Sequence, residues 1–257
     1  MKRRHILIVL SFFVAVVNFS SCDQSIDNFY TEKSRIQFKY FKEDTGSNRV
    51  ITRTYFDRST YSFGIAEDDM EKDTAKIVVE FLGSASDRDR VYTVRVGADS
   101  TSATEGKHYE PFSAKQIFRA GKHKDTLRIV VLRSHLSTSF TNPENRRIAL
   151  DMEASDDFNL GMKDGIRTYL YINNYLSEPI WWKDGLRGPY LGFYHPKKWK
   201  ILISFNAKFS NSKTCEFDFN NQGRAYFDGL RRYLEGVPTF DDETGGRIYL
   251  DRIVPKT

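Results

Sequence analysis

Ile36-Gln37-Phe38-Lys39-Tyr40 sets Ile36, Phe38 and Tyr40 on one side of an extended chain and Gln37 and Lys39 on the other. Successive side chains of a strand point to opposite faces, so this alternation is the mark of a half-buried β-strand. The same period of two returns downstream. Ile77, Val79 and Phe81 share a face, as do Tyr92, Val94 and Val96, then Leu127, Ile129 and Val131, then Ile148, Leu150 and Met152. Tyr169 and Tyr171 alternate with Leu170 and Ile172, and residues 50–55 and 60–65 carry weaker versions. Gly46-Ser47, Gly83-Ser84, Gly97, Gly106, Ala120-Gly121 and Asn142-Pro143 punctuate these runs with turn chemistry. β-Branched and aromatic residues dominate the runs, and no amphipathic helix separates them. The pattern predicts a mainly β chain over residues 36–174, an antiparallel immunoglobulin-like sandwich of about eight or nine strands.

The style changes near Tyr175. Leu176-Ser177-Glu178-Pro179, Trp181-Trp182-Lys183-Asp184-Gly185 and Gly188-Pro189 make a rigid aromatic connector over residues 175–189. A small α+β module over residues 190–257 should follow, with a helix at residues 223–234 that turns Ala225, Leu230 and Leu234 inward and stops at Gly236 and Pro238. Some sixty residues are marginal for folding alone, so this module is expected to pack on the sandwich.

The N-terminus reads as an address. Lys2, Arg3 and Arg4 precede an apolar run at residues 6–17, which at about a dozen residues falls short of the roughly twenty that span a bilayer. Residues 1–21 are therefore expected to be a signal peptide. Phe19-Ser20-Ser21-Cys22 resembles the lipobox of bacterial lipoproteins, which implies acylation of Cys22, with residues 22–35 as lipidated end and spacer. Only Cys215 would then remain, leaving no disulfide to form, and it reads as a half-buried residue rather than a nucleophile. The formal charge is +5, but three of those surplus positive charges sit at Lys2, Arg3 and Arg4. The rest mixes signs, as in Asp87-Arg88-Asp89-Arg90, and makes a poor nucleic-acid partner.

Asp87-Arg88-Asp89-Arg90-Val91-Tyr92-Thr93-Val94, Ser102-Ala103-Thr104-Glu105-Gly106-Lys107-His108-Tyr109, Phe118-Arg119-Ala120-Gly121 and Thr126-Leu127-Arg128-Ile129 resemble an uncharacterised surface-lipoprotein family of Bacteroidota. Leu191 to Trp199 and Phe240-Asp241-Asp242-Glu243 fit the same family. The resemblance implies a lipid-anchored protein of the outer membrane, exposed at the cell surface. It also implies an accessory role beside SusC-like and SusD-like uptake proteins in capturing glycans or peptides. It brings no chemistry with it. The Ala103-x-x-Gly106-x-x-Tyr109 segment is in addition similar to Calx-beta modules, sandwiches with calcium sites. This chain has His108 where those modules usually carry Asp, and Asp87, Asp89, Asp156 and Asp157 would serve a hard cation only if the fold gathered their loops.

No HExxH, CxxC, GxSxG or GxxxxGK[ST] pattern occurs, so the defining parts of a zinc peptidase, serine hydrolase or ATPase are missing, and no metal or cofactor is expected. Glycosidase carboxylates can come from distant positions, and Glu80, Asp151 and Glu153 lie on or beside strands. Alternation puts Asp151 and Glu153 opposite Ile148, Leu150 and Met152, where a solvated face accounts for them, and a solvated face likewise accounts for Lys197-Lys198-x-Lys200. The aromatic connector offers the candidate ligand platform. Trp181, Trp182, Tyr194 and Trp199 have rings on which sugar faces stack, although aromatics at a junction also lock modules together. Adjacent residues of an extended segment point oppositely, so one of Trp181 and Trp182 is free to pack while the other faces solvent. The expectation is a non-catalytic surface binding protein. A glycan hydrolase or lyase with dispersed carboxylates, and a structural or adhesive lipoprotein, are the alternatives.

Overall fold

A computed structural model describes residues 33–46, 49–183, 190–217 and 223–256. The signal segment, Cys22 and the spacer up to residue 32 lie outside the described residues.

Among the described residues, eleven strands precede the aromatic connector: β1 (Arg35–Phe38), β2 (Phe41–Thr45), β3 (Ile51–Tyr55), β4 (Arg58–Ser62), β5 (Lys72–Leu82), β6 (Arg90–Val96), β7 (Lys115–Phe118), β8 (Lys124–Leu132), β9 (Arg146–Glu153), β10 (Asn159–Leu160) and β11 (Arg167–Asn173). Two sheets of order β10-β1-β5-β8 and β4-β11-β9-β6-β7 face one another. The period-two residues do what their spacing implies: Ile77, Val79, Leu127, Ile129, Val94, Ile148, Leu150, Leu170 and Ile172 are all buried between the sheets. Each such side chain contributes about 1.5 to 3 kcal/mol on leaving water. Tyr40 departs from the expectation, because β1 ends at Phe38 and Tyr40 instead stacks on Tyr55, which pairs with Phe41 across the exposed β2–β3 ribbon.

The sandwich is antiparallel except at two edges. β1 runs parallel to β10, and β4 runs parallel to β11 in the register Arg58↔Tyr169, Thr60↔Tyr171 and Ser62↔Asn173. At one pole Arg90 is inserted between Phe81 and Phe158, its guanidinium 4.2 and 4.4 Å from their ring centroids.

A second core lies beyond β11, formed by helices α1 (Pro196–Phe205) and α2 (Arg224–Gly236), a 3₁₀ turn at Ile180–Trp182 and the short pair β12 (Arg247–Ile248) and β13 (Ile253–Val254). His195 caps α1, its Nδ1 accepting from the Lys197 amide at 3.1 Å, with Pro196 in the first turn. α2 ends at Gly236 as expected, but Ala225 is exposed and Phe227 takes the inward place with Leu230 and Leu234. Ala225 is five residues before Leu230, well round the helix from it, whereas Phe227 is three before and shares its face. The chain is thus mainly β, a two-sheet sandwich with a small helical part. Among the described residues no helix is long and apolar enough to cross a membrane.

Candidate functional site

Strand β11 buries Thr168, Leu170 and Ile172 and turns Tyr169, Tyr171 and Asn173 to the outer face of its sheet. The neighbouring strands frame the two tyrosines with cations. The Arg147 guanidinium stands 5.4 Å from the Tyr169 centroid, and that of Arg58, from the parallel β4, stands 5.4 Å from Tyr171. Arg58 is itself forked onto Asp57, with Nε and Nη2 donating at 2.8 and 3.3 Å.

Where β4 and β11 end, this face opens into a cleft of about 490 Å³. Tyr171, Tyr175 and an edge of the otherwise buried Trp199 give it rings, and Asn145 and Asn173 give it amides. The polar groups are chained: Asn173 Nδ2 donates to Asn145 Oδ1 at 2.9 Å, and Asn145 Nδ2 donates to the Tyr175 hydroxyl at 3.0 Å. Asn173 is 5% exposed, and its Oδ1 accepts no hydrogen bond. A buried acceptor without a donor carries a desolvation cost, which the rest of the Asn173–Asn145–Tyr175 chain offsets. The described residues lining the cleft include no aspartate or glutamate. Beside the cleft, Gly64 lets the backbone pass close to Tyr175: a β-carbon there would stand 2.5 Å from the Tyr175 carbonyl oxygen.

A second cleft, of about 540 Å³, lies between the sandwich and α1. Its charges answer one another: Lys200 pairs with Asp68 at 2.9 Å and Lys197 with Asp242 at 2.5 Å. It is an interface of matched ions rather than a vacancy for a ligand. The Lys197-Lys198-x-Lys200 run is not a common face either, because Lys198 is wholly buried, its Nζ donating to the carbonyls of Phe193 and, at 2.9 Å, Leu250.

Of the aromatic residues expected to form a platform, Trp181, Trp182 and Tyr194 belong to the second core and not to the β4–β11 cleft, while Trp199 belongs to that core and also lines this cleft. Trp182 is 0% exposed, Trp199 1% and Trp181 5%. Residues 180–182 form a 3₁₀ turn rather than an extended segment, so Trp181 and Trp182 turn to the same side, with ring centroids 5.7 Å apart, and Ile180 is left in solvent. Each indole N–H is consumed internally: Trp181 donates to Asn211 O at 2.7 Å, Trp182 to Gly192 O at 3.3 Å and Trp199 to Phe209 O at 2.8 Å. Tyr194, half-buried, donates its hydroxyl to Leu176 O, and burial raises its phenol above the ordinary range. Cys215 is half-buried as expected, and burial pushes its thiol up, away from the reactive thiolate.

Glu80 meets the Gln37 side-chain amide at 3.4 Å, and Asp151, Glu153, Asp89 and Asp157 are held by arginines and backbone amides. Arg167 Nε and Nη2 donate to Asp151 at 2.5 and 2.8 Å while the same guanidinium reaches Asp99, and Arg95 pairs with Glu153 at 2.7 Å. Asp89 accepts from the Ala120 amide and Arg119, and Asp157 from the Val91 amide and Arg88; these bonds keep both carboxyls below the ordinary value. His108 closes its own turn, Nδ1 accepting from the Thr104 amide at 2.8 Å. Among the described residues no three His, Cys, Asp or Glu side chains lie close enough to hold a metal ion.

Sequence reasoning named Trp199 of the cleft lining but missed its other residues, although part of their signal was present. Two tyrosines at the outward positions of one strand were visible, but their pairing with β4 is parallel and non-local, and no alternation reports it.

No curated protein matches the chain. Among solved structures it is similar to the apo-form Calx CBD1 domain, at 14% identity and a TM-score of 0.35, over 56% of this chain and 98% of that one. It is also similar to a "putative carbohydrate binding protein" from Bacteroides ovatus, at 12% identity and a TM-score of 0.36, over 55% of this chain and 37% of that one. A third similar structure is a protein of unknown function from the same organism, at 15% identity and a TM-score of 0.35, over 61% of this chain and 48% of that one. The chain thus spans less than half the length of either Bacteroides protein. Likenesses this distant lend nothing to the reading of the cleft, which rests on its own residues. A family pattern does match, over residues 30–207, from ahead of β1 to just past α1, and by that match the chain belongs to the family described as "Domain of unknown function (DUF4843)".

Proposed function

We propose that the chain is a non-catalytic glycan-binding lipoprotein, tethered to the outer membrane through Cys22 and serving as an accessory to uptake through SusC-like and SusD-like partners. The observation that carries the binding reading is the cleft at the ends of β4 and β11, where Tyr171 and Tyr175 stand beside the amides of Asn145 and Asn173. Sugars present flat C–H faces and rims of hydroxyls. Aromatic rings with polar edges meet the first, and bidentate amides meet the second. The non-catalytic reading has its support in the lining: a glycosidase needs two carboxylates about 5 to 10 Å apart, and the described lining supplies none. The tether and the uptake partners rest on Lys2 to Cys22 and on the resemblance of the sequence.

Affinity electrophoresis of the full chain through gels containing soluble polysaccharides tests the binding reading. At least one polysaccharide should retard the protein without being shortened by it. Free migration in every gel would count against a glycan ligand, and release of reducing ends would restore the hydrolase alternative.

A further inference from the structure

Resting on the glycan reading of this cleft, we infer that the ligand carries an acidic group, a carboxylate or sulfate on a sugar ring, which Arg147 receives beside the cleft. Arg147 stands on β9 at the outer face of the sheet, across from Tyr171 in the register, and Asn145, two residues earlier in the chain, lines the cleft with Tyr171. Residues opposite one another on neighbouring strands stand about 5 Å apart, so a ligand on Tyr171 lies within reach of the Arg147 side chain.

The first observation is how charge is divided on this face. Arg58 is forked onto Asp57, Arg95 pairs with Glu153, and Arg167 holds both Asp151 and Asp99. Arg147 has no carboxylate partner among the described residues: its Nε donates to the Ser100 carbonyl at 2.6 Å, and its guanidinium stands over Tyr169. No aspartate or glutamate of the described cleft lining offsets it either. Its Nη1 and Nη2 donate to nothing among the described residues, and both reach solvent.

The second is that this cation is held in place. The Arg147 amide donates to Ser102 Oγ at 3.0 Å, its carbonyl accepts from the Ser102 and Ala103 amides at 2.8 and 3.0 Å, and Nε is fixed on Ser100. With Nε spent, the Nη1–Nη2 edge remains, a pair of parallel donors that matches two oxygens of a carboxylate or sulfate. Arg147 is half-buried, so its charge is less screened by water than that of a fully solvated side chain. Sugar hydroxyls alone leave that charge unanswered, and an acidic ring answers it.

The test uses the full chain in gels run at about 0.15 M salt, which screens diffuse attraction between exposed charges. Polygalacturonate is compared with its methyl ester, and dextran sulfate with dextran, so that the members of each pair share their sugar ring and differ in charge. Retardation by an acidic polymer, with its uncharged counterpart bound about tenfold or more weakly, is the result expected, and the pair that shows it separates carboxylate from sulfate. Retardation by uncharged polymers as strong as by acidic ones, or by uncharged ones alone, would overturn this inference and leave the glycan reading standing, while retardation by none would overturn both. Arg147→Gln should then lose about tenfold or more of the acidic retardation, whereas Lys115→Gln, which removes an exposed charge on β7, should keep it. Equal loss in the two variants would reduce the effect to the basic charge of the whole protein, and full retention by Arg147→Gln would place the acidic group elsewhere; either overturns the assignment. If Arg147→Gln fails to fold, Arg147→Lys is measured instead. It keeps the charge and loses the fork, so weaker retardation is expected and unchanged retardation would contradict the paired contact.

Discussion

Two residues of the second core show how burial tunes chemistry without making an active site. His195 and Asp241 are both buried, with Nε2 3.2 Å from Oδ1, an arrangement that in a cleft would suggest a general base. Here the histidine caps α1, and Asp241 also accepts from the Thr244 amide and hydroxyl. Burial lowers the His195 pKa below its usual 6.5 despite the aspartate. For Asp241 burial works against the charged form, yet the bonds from Thr244, His195 and the Glu243 amide hold its pKa down at about 2. Both folded-state values lie below the unfolded ones, so both contributions are present above the unfolded pKa and are lost as pH falls. The melting temperature should decline from pH 6.5 downward as the unfolded chain takes up the His195 proton, and more steeply between pH 4 and 2. Asp241 accounts for about 2 kcal/mol of that second loss. Melts by circular dichroism across this range check the sign, and a melting temperature rising toward acid would contradict it. Lys198 offers a second check at this scale. Its ammonium is wholly buried on two carbonyls and 4.2 Å from the Phe193 centroid, so Lys198→Met should destabilise the chain by about 2 to 4 kcal/mol in urea denaturation. A change below about 0.5 kcal/mol would mean that the ammonium is not required there.

At the scale of elements, alternation identified the strands that are half-buried and failed where its assumption failed. β5 and β8 follow the period of two along their buried stretches, whereas β9 also buries Ala149 between Ile148 and Leu150 and β11 also buries Asn173 beside Ile172. β2 and β3 are exposed almost throughout, so burial imposes no alternation on them, and β10 is two residues long. The Trp181-Trp182 pair was misread because opposite pointing holds only for extended chain, and a 3₁₀ turn reverses the inference. Half of the cleft was legible in the same way. Tyr169 and Tyr171 announce an outward aromatic face, but the parallel partner β4 and the Asn145–Asn173 link join positions far apart in the sequence. The junction of the elements has its own consequence. Gly64→Ala would bring a β-carbon to 2.5 Å from the Tyr175 oxygen and 2.8 Å from its carbonyl carbon, both backbone atoms that cannot swing aside. The variant should lose about 1 to 3 kcal/mol of stability and, by shifting Tyr175, weaken ligand retention in the same gels. Unchanged stability together with unchanged retention would show that this close approach is not needed.

Across the whole molecule, the described chain enters at one pole of the sandwich and the cleft lies at the other. Lys33 and Arg35 sit beside Leu82, Ser155 and Asn159, whereas Asn173, Asn174 and Tyr175 lie by the opposite ends of β5 and β8, where Arg133 donates to Asn174. β5 alone runs eleven residues between these poles, about 35 Å at strand rise. The spacer from Cys22 thus joins the sandwich at the pole farther from the cleft. The tether has its own expected outcome: the native protein should stay with membranes and incorporate labelled palmitate, and Cys22→Ala should be released and unlabelled. Release of the native protein as well would contradict lipidation.

The central claim is that the ligand lies on Tyr171 at the β4–β11 cleft and not on the buried Trp181–Trp182 pair. Isothermal titration of a retarding oligosaccharide into the parent protein and into Tyr171→Ala tests it most directly. Tyr171 is only half-buried on the outer face, so the variant should melt within a few degrees of the parent and bind at least tenfold more weakly. Equal affinity in a folded variant would place the ligand elsewhere on the molecule.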